Sequence, residues 1–101
     1  MRTVHSLVGI PGEGPYLQLD VDMAGGEIAA VRCLCNGCST SVAVCDRLCQ
    51  LLKIVQIDKV KSLSVEELGP LLPPIPEGKG HVLAMAHECL QRLWHETKMA
   101  G

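Results

Sequence analysis

Residues 16–41 read YLQLDVDMAGGEIAAVRCLCNGCSTS, and the change of period along them sets the fold. Leu17, Leu19, Val21 and Met23 alternate with Tyr16, Gln18, Asp20 and Asp22, which predicts a strand over Tyr16–Met23 with one buried face. Ala24-Gly25-Gly26 supplies the permissive backbone of a tight turn, and Glu27–Leu34 continues extended. The two runs predict an antiparallel hairpin. From Ser39 the period becomes helical, with Val42, Cys45, Leu48, Cys49 and Leu52 as one apolar stripe over Ser39–Ile54. Three thiols, Cys33-Leu-Cys35-Asn-Gly-Cys38, occupy the switch from strand to helix. A cysteine at a helix start lies beside unsatisfied N–H groups, whose positive field favours thiolate, the form that binds iron or zinc.

Outward from this stretch, Thr3–Val8 predicts a third, edge strand, cut off by Pro11 and Gly12. Ser64-Val-Glu-Glu67 has the capping-box pattern of a short helix that Gly69-Pro70 ends. Leu72–Pro76 is a proline-rich connector, read as a rigid linker. From Gly80 a second long helix is expected to run to the C-terminus, with Val82, Met85, Ala86, Cys89, Leu90 and Leu93 on one face. Strands followed by helices predict an α+β domain: a small three-stranded antiparallel sheet with two long helices and one short helix packed on one face. A chain of 101 residues without internal repeats is expected to form a single domain over residues 1–101.

Composition excludes several function classes. Apolar residues make up 48% of the chain, yet there is no Phe, one Trp and one Tyr, so the core must be aliphatic. A net charge of -2 gives no basic footprint, and no stacking aromatics alternate with Lys or Arg; no nucleic-acid partner is expected. No apolar run reaches the length of a membrane span, and residues 1–15 are too broken by Gly and Pro for a signal peptide. A cytoplasmic protein is therefore expected. In that reducing compartment, six cysteines point to core packing, metal or redox chemistry rather than a disulfide framework.

With the elements in this order, the chain resembles the NifU amino-terminal family, the IscU-type scaffolds of iron–sulfur cluster assembly, over roughly residues 10–93. Ile10-Pro-Gly-Glu-Gly-Pro15 resembles the family's alanine-proline-alanine-cysteine-glycine-aspartate loop before the first hairpin strand. Asn36-Gly-Cys38-Ser-Thr-Ser-Val-Ala43 resembles its tyrosine-glycine-cysteine-glycine-serine-alanine-isoleucine-alanine segment at the start of the first long helix. Leu72–His81 resembles the connector into the family's histidine-cysteine pair, and Ser64–Glu67 falls where members place a short helix. Leu72-Pro73-Pro74 is also weakly similar to a chaperone-recognition segment of some scaffolds. The resemblance implies a SufE/NifU-like fold and a site for iron, zinc or a transient iron–sulfur cluster. Family scaffolds use three cysteines, a loop aspartate and a histidine. Carried over by position, Cys38 and His81 match in type, while Glu13, Pro15 and Val82 stand where the first cysteine, the aspartate and the third cysteine fall. The amino-terminal helix of full-length scaffolds finds no match in this sequence, so a surface open to a partner is expected, and a homodimer is one way to cover it.

Four residues are thus the candidate metal ligands: Cys38 and His81 at the centre, with Glu13 and Cys35 to complete the coordination. Carboxylate, imidazole and thiolate together hold Zn²⁺ or Fe²⁺, whereas a cluster prefers thiolates. Cys33 and Cys35 have the same strand parity; Cys33 is assigned to the core beside Val31, and Cys35 is left open between core and metal. Cys45, Cys49 and Cys89 lie on apolar stripes and are assigned to the core. His5, His87 and His95 have no partner at ligand spacing and are assigned to solvent. The expected function is a divergent, non-enzymatic assembly protein that binds iron, zinc or a transient cluster for transfer. Its expected partners are a cysteine desulfurase or other assembly proteins. Two alternatives are a metal-free interaction module of the same machinery and a persulfide carrier using Cys38.

Overall fold

The computed structural model describes residues 2–10, 12–36, 39–54, 57–60 and 62–100. Three strands, β1 (Arg2–Gly9), β2 (Tyr16–Ala24) and β3 (Glu27–Cys35), form an antiparallel sheet in the order β1-β2-β3. Gly25 and Gly26 both have positive φ, +61° and +83°, the pair of left-handed residues that a two-residue hairpin turn requires. Ala29 is the extra residue of a bulge, since Met23 pairs with Ile28 and Asp22 with Ala30. Beyond it the register is regular, placing Val31, Cys33 and Cys35 opposite Val21, Leu19 and Leu17.

The helices are α1 (Ser39–Ile54), α2 (Ile57–Val60), α3 (Val65–Leu68) and α4 (Gly80–Ala100), with a 3₁₀ turn at Gly69–Leu71. The expected α+β architecture is thus present, and α2 is an addition to it. Helix α1 covers β3, while α4 covers β1 and β2. Both lie against one sheet face, where Val4, Val8, Leu17, Leu19, Val21 and Met23 are buried. The α4 stripe is as expected: Val82, Ala86, Cys89, Leu90 and Leu93 are buried and Met85 is partly so. The α1 stripe is rotated from the predicted one. Val44, Leu51 and Ser41 are buried beside Cys45, Leu48 and Leu52, whereas Val42 is exposed and Cys49 half-buried. The helix turns its Val44–Leu48–Leu51 line toward the sheet and α4 together, which puts Val42 on the outer flank.

Ser64 caps α3 as its sequence predicts. Its Oγ accepts from the Glu67 N–H at 3.2 Å, and the Glu67 carboxylate accepts from the Ser64 N–H at 3.4 Å. The segment between α1 and α4 is pinned by side chains of the long helices. Arg47 Nε donates to the Leu71 carbonyl at 2.8 Å, His87 Nε2 to that of Leu63 at 2.9 Å, and Gln91 to that of Val60 at 3.0 Å. His87, expected in solvent, is therefore half-buried and structural: the loop carbonyl beside it needs a donor.

The outer sheet face carries a polar ladder. His5 Nδ1 donates to Asp20 at 2.6 Å, and Arg32 and Thr3 donate to Asp22 at 3.1 and 2.7 Å. His5 thus has a partner although its side chain is 65% exposed, which corrects its assignment to solvent alone. Burial pushes Asp20 upward, but donors from Gln18 and His5 and the nearby Arg32 charge outweigh it and hold the carboxyl below its usual value. Asp22 is lowered by its hydrogen bonds from Arg32 and Thr3. Depressed carboxyls contribute stability that is present above the unfolded-state value and lost as pH falls through the folded one. Urea unfolding across pH should therefore show wild-type stability declining below about pH 4, with a shallower decline in Asp20→Asn and Asp22→Asn. In the core, Leu19→Ala should cost about 2–5 kcal/mol, read from the urea midpoint at unchanged slope.

Candidate functional site at one end of the sheet

Sheet register and helix direction bring the described candidate ligands, Glu13, Cys35 and His81, to a common end of the molecule. Val8, Leu17 and Cys35 lie in one cross-strand row, so the 10–15 loop and the exit of β3 are at the same edge. Gly9 makes that loop close tightly: its φ is +87°, and a Cβ there would collide with the Pro15 carbonyl oxygen. Glu13 is exposed on the loop, its N–H bonded to the Ile10 carbonyl at 3.0 Å.

Helix α4 runs antiparallel to β1. Cys89 meets Ser6, Arg92 Nη1 donates to the Leu7 carbonyl at 2.7 Å, and Arg2 reaches the Thr97 carbonyl near the helix end. The eight residues of α4 back from Cys89 cover roughly 12 Å, and three strand residues from Ser6 to Gly9 cover about 10 Å. His81, exposed in the first turn of α4, is thereby carried to the same end as the Glu13 loop. Helix α1 begins there too, at Ser39. Cys38 lies outside the described residues, between Cys35 and that helix start. Cys35 is a free, half-buried thiol packed against the core edge. Topology thus collects Glu13, Cys35 and His81 at one end. Among the described residues, no three His, Cys, Asp or Glu side chains stand together as a metal-holding group.

The remaining thiols differ in kind. Cys33 and Cys45 form a disulfide, with Cα atoms 5.5 Å apart, inside the usual range. The sequence assigns both to the core, without a bridge. They do pack against the core, Cys45 buried and Cys33 half-buried, but as a bridged pair. Cys89 is the free core cysteine the sequence predicts: fully buried, its Sγ lies 3.4 Å from Ser6 Oγ, and the hydroxyl itself donates to the Cys89 carbonyl at 2.7 Å. Burial pushes its thiol upward, against a smaller opposing effect of Ser6. The Cys49 thiol is likewise raised by burial and then by Asp46.

A model of the NifU-like N terminal domain matches residues 6–96. The chain belongs to that family. Its members are scaffolds of iron–sulfur cluster assembly, and the architecture found here agrees with the resemblance carried by the sequence motifs. No curated protein matches the chain significantly. No described helix is long and apolar enough to cross a membrane.

The thiol environments predict a labelling order. Under native, non-reducing conditions iodoacetamide should modify Cys35 before Cys49, and leave Cys89 unmodified until the protein unfolds. Cys33 and Cys45 should react only after a disulfide reductant is added. Peptide mapping by mass spectrometry reads each site separately.

Proposed function

We propose that the chain is a divergent iron–sulfur assembly protein that takes up iron, zinc or a nascent cluster as cargo and passes it on. Cys38 and His81 would be the principal ligands, with Cys35 and Glu13 completing the set. The observation that carries this reading is the common end of the sheet, where the Glu13 loop, the free thiol of Cys35 and the first turn of α4 with His81 come together. Family membership over residues 6–96 supports the class of cargo.

The donor set gives the site its character. Glu13 and His81 are exposed, so a metal held by them exchanges its remaining ligands with solvent or with an incoming protein. Oxygen and nitrogen donors suit Fe²⁺ and Zn²⁺, while a [2Fe–2S] core prefers thiolates. Replacing family cysteines by Glu13 and Val82 therefore favours loose holding and release over storage. No covalent chemistry on an organic substrate is needed for this role, and the protein would act as a carrier rather than an enzyme. Its partners would be a cysteine desulfurase and other assembly proteins, in a cytoplasmic setting. A homodimer is compatible with the role but not required by it.

Anaerobically purified wild type, reconstituted with ferrous iron and sulfide, should retain iron in near-stoichiometric amount. Cys38→Ala and His81→Ala should each lose most of it, and Glu13→Gln should weaken retention less. Iron and acid-labile sulfide assays on the desalted proteins check this. Wild type that emerges free of iron, and free of zinc after parallel loading with Zn²⁺, would remove the cargo reading.

A further inference from the structure

The Cys33–Cys45 bridge lies outside the proposed ligand set, and its two residues are unequally buried. Cys33 is half-buried on β3, whereas Cys45 is 5% exposed on α1. Such asymmetry is what a working dithiol needs: an accessible sulfur that meets the incoming group and a shielded one that resolves the intermediate. The position also fits. Cys33 precedes the candidate ligand Cys35 by two residues on the same strand face, and the bridge joins β3 to α1, the elements that flank Cys38. In a reducing compartment, a bridge of this kind turns over rather than persisting as a permanent staple.

We propose that reduced Cys33 and Cys45 form a persulfide-reducing site that converts sulfane sulfur to sulfide beside the cargo site. The choice of substrate rests on the assembly reading, because cluster sulfur is sulfide, whereas sulfur carried on a thiol is at the sulfane level. The difference is two electrons, the number a dithiol releases on forming a disulfide.

The steps balance. The Cys33 thiolate attacks the outer sulfur of a persulfide, R–S–SH. The S–S bond of the persulfide breaks, and R–S⁻ leaves and takes a proton. Cys33 now carries the added sulfur as a hydrodisulfide. The Cys45 thiolate then attacks Cys33 Sγ, and the bond to the terminal sulfur breaks with its electron pair leaving on HS⁻. The net change is one persulfide and two thiols giving one thiol, one hydrogen sulfide and the Cys33–Cys45 disulfide. The cysteine pair is oxidised and the sulfane sulfur reduced. A further turnover needs an external dithiol reductant to reopen the bridge.

The test uses glutathione persulfide with pre-reduced, metal-free protein after removal of the reductant. Sulfide is measured directly, and thiols are alkylated and mapped by mass spectrometry. Wild type should release a single equivalent of sulfide as the Cys33–Cys45 bridge forms. Cys45→Ser should release little sulfide and hold the added sulfur on Cys33, and Cys33→Ser should do neither. Bridge formation without sulfide above the level of the Cys33→Ser/Cys45→Ser double variant would overturn the proposal, leaving a structural disulfide only. Sulfide release accompanied by a bridge between other cysteines would overturn it too. The wild-type peptide map decides this even if a variant folds poorly. Because iron is excluded, failure here is distinct from loss of iron retention at Cys38 and His81.

Discussion

The molecule depends on the burial of one face of its central strand. Leu17, Leu19, Val21 and Met23 all point to that face, and Leu19 and Val21 are wholly removed from water. A strand so committed cannot slip by one residue without exposing the whole set. Its partners must therefore hold a fixed register, and two helices must cover it. Val4 and Val8 extend the buried face on β1, and Val31 and Cys33 extend it on β3. The aliphatic composition is no handicap, since α1 and α4 contribute Leu48, Leu51, Leu90 and Leu93 to the same core.

That fixed register is also what brings the candidate site residues to one end. Antiparallel strands joined by short turns return the 10–15 loop and the β3 exit to one edge, and α4 delivers its first turn to the same edge by running antiparallel to β1. Exposed, hydrated donors then sit above a dry core. The same face that holds the core also carries Cys33 and Cys35, so these cysteines lie at the boundary between the two. Cys45 lies on the dry side of that boundary, Cys33 and Cys35 on the boundary itself, and Glu13 and His81 on the wet side.

Most of this architecture was legible in the sequence because it rests on local signals. The alternation of β2, the Gly25-Gly26 turn, the Ser64–Glu67 box and the α4 stripe each identify an element from residues close together in the chain. The rotation of α1 was not legible. Val42 and Val44 are equally apolar, and only the simultaneous contact with sheet and α4 selects Val44 for burial. The burial of His87 is hidden from the sequence for a similar reason, since its partner is a loop carbonyl 24 residues away. The disulfide had a signal that spacing could have supplied. About three strand residues span the same roughly 10 Å as six helical residues, so a chain that reverses after Cys35 sets Cys33 opposite Cys45. Of the candidate ligands, Glu13 and His81 follow from motif position and Cys35 from its nearness to Cys38 in the chain, and the topology brings these three to one end. Their roles as ligands belong to chemistry that a fold does not carry by itself.

X-ray absorption at the iron edge of the anaerobically loaded protein reads the ligand set directly. Sulfur and nitrogen or oxygen scatterers together around iron, with the sulfur contribution diminished in Cys38→Ala, are the predicted result. A coordination sphere of sulfur alone, or of oxygen alone unchanged by that substitution, would contradict a mixed thiolate, imidazole and carboxylate site.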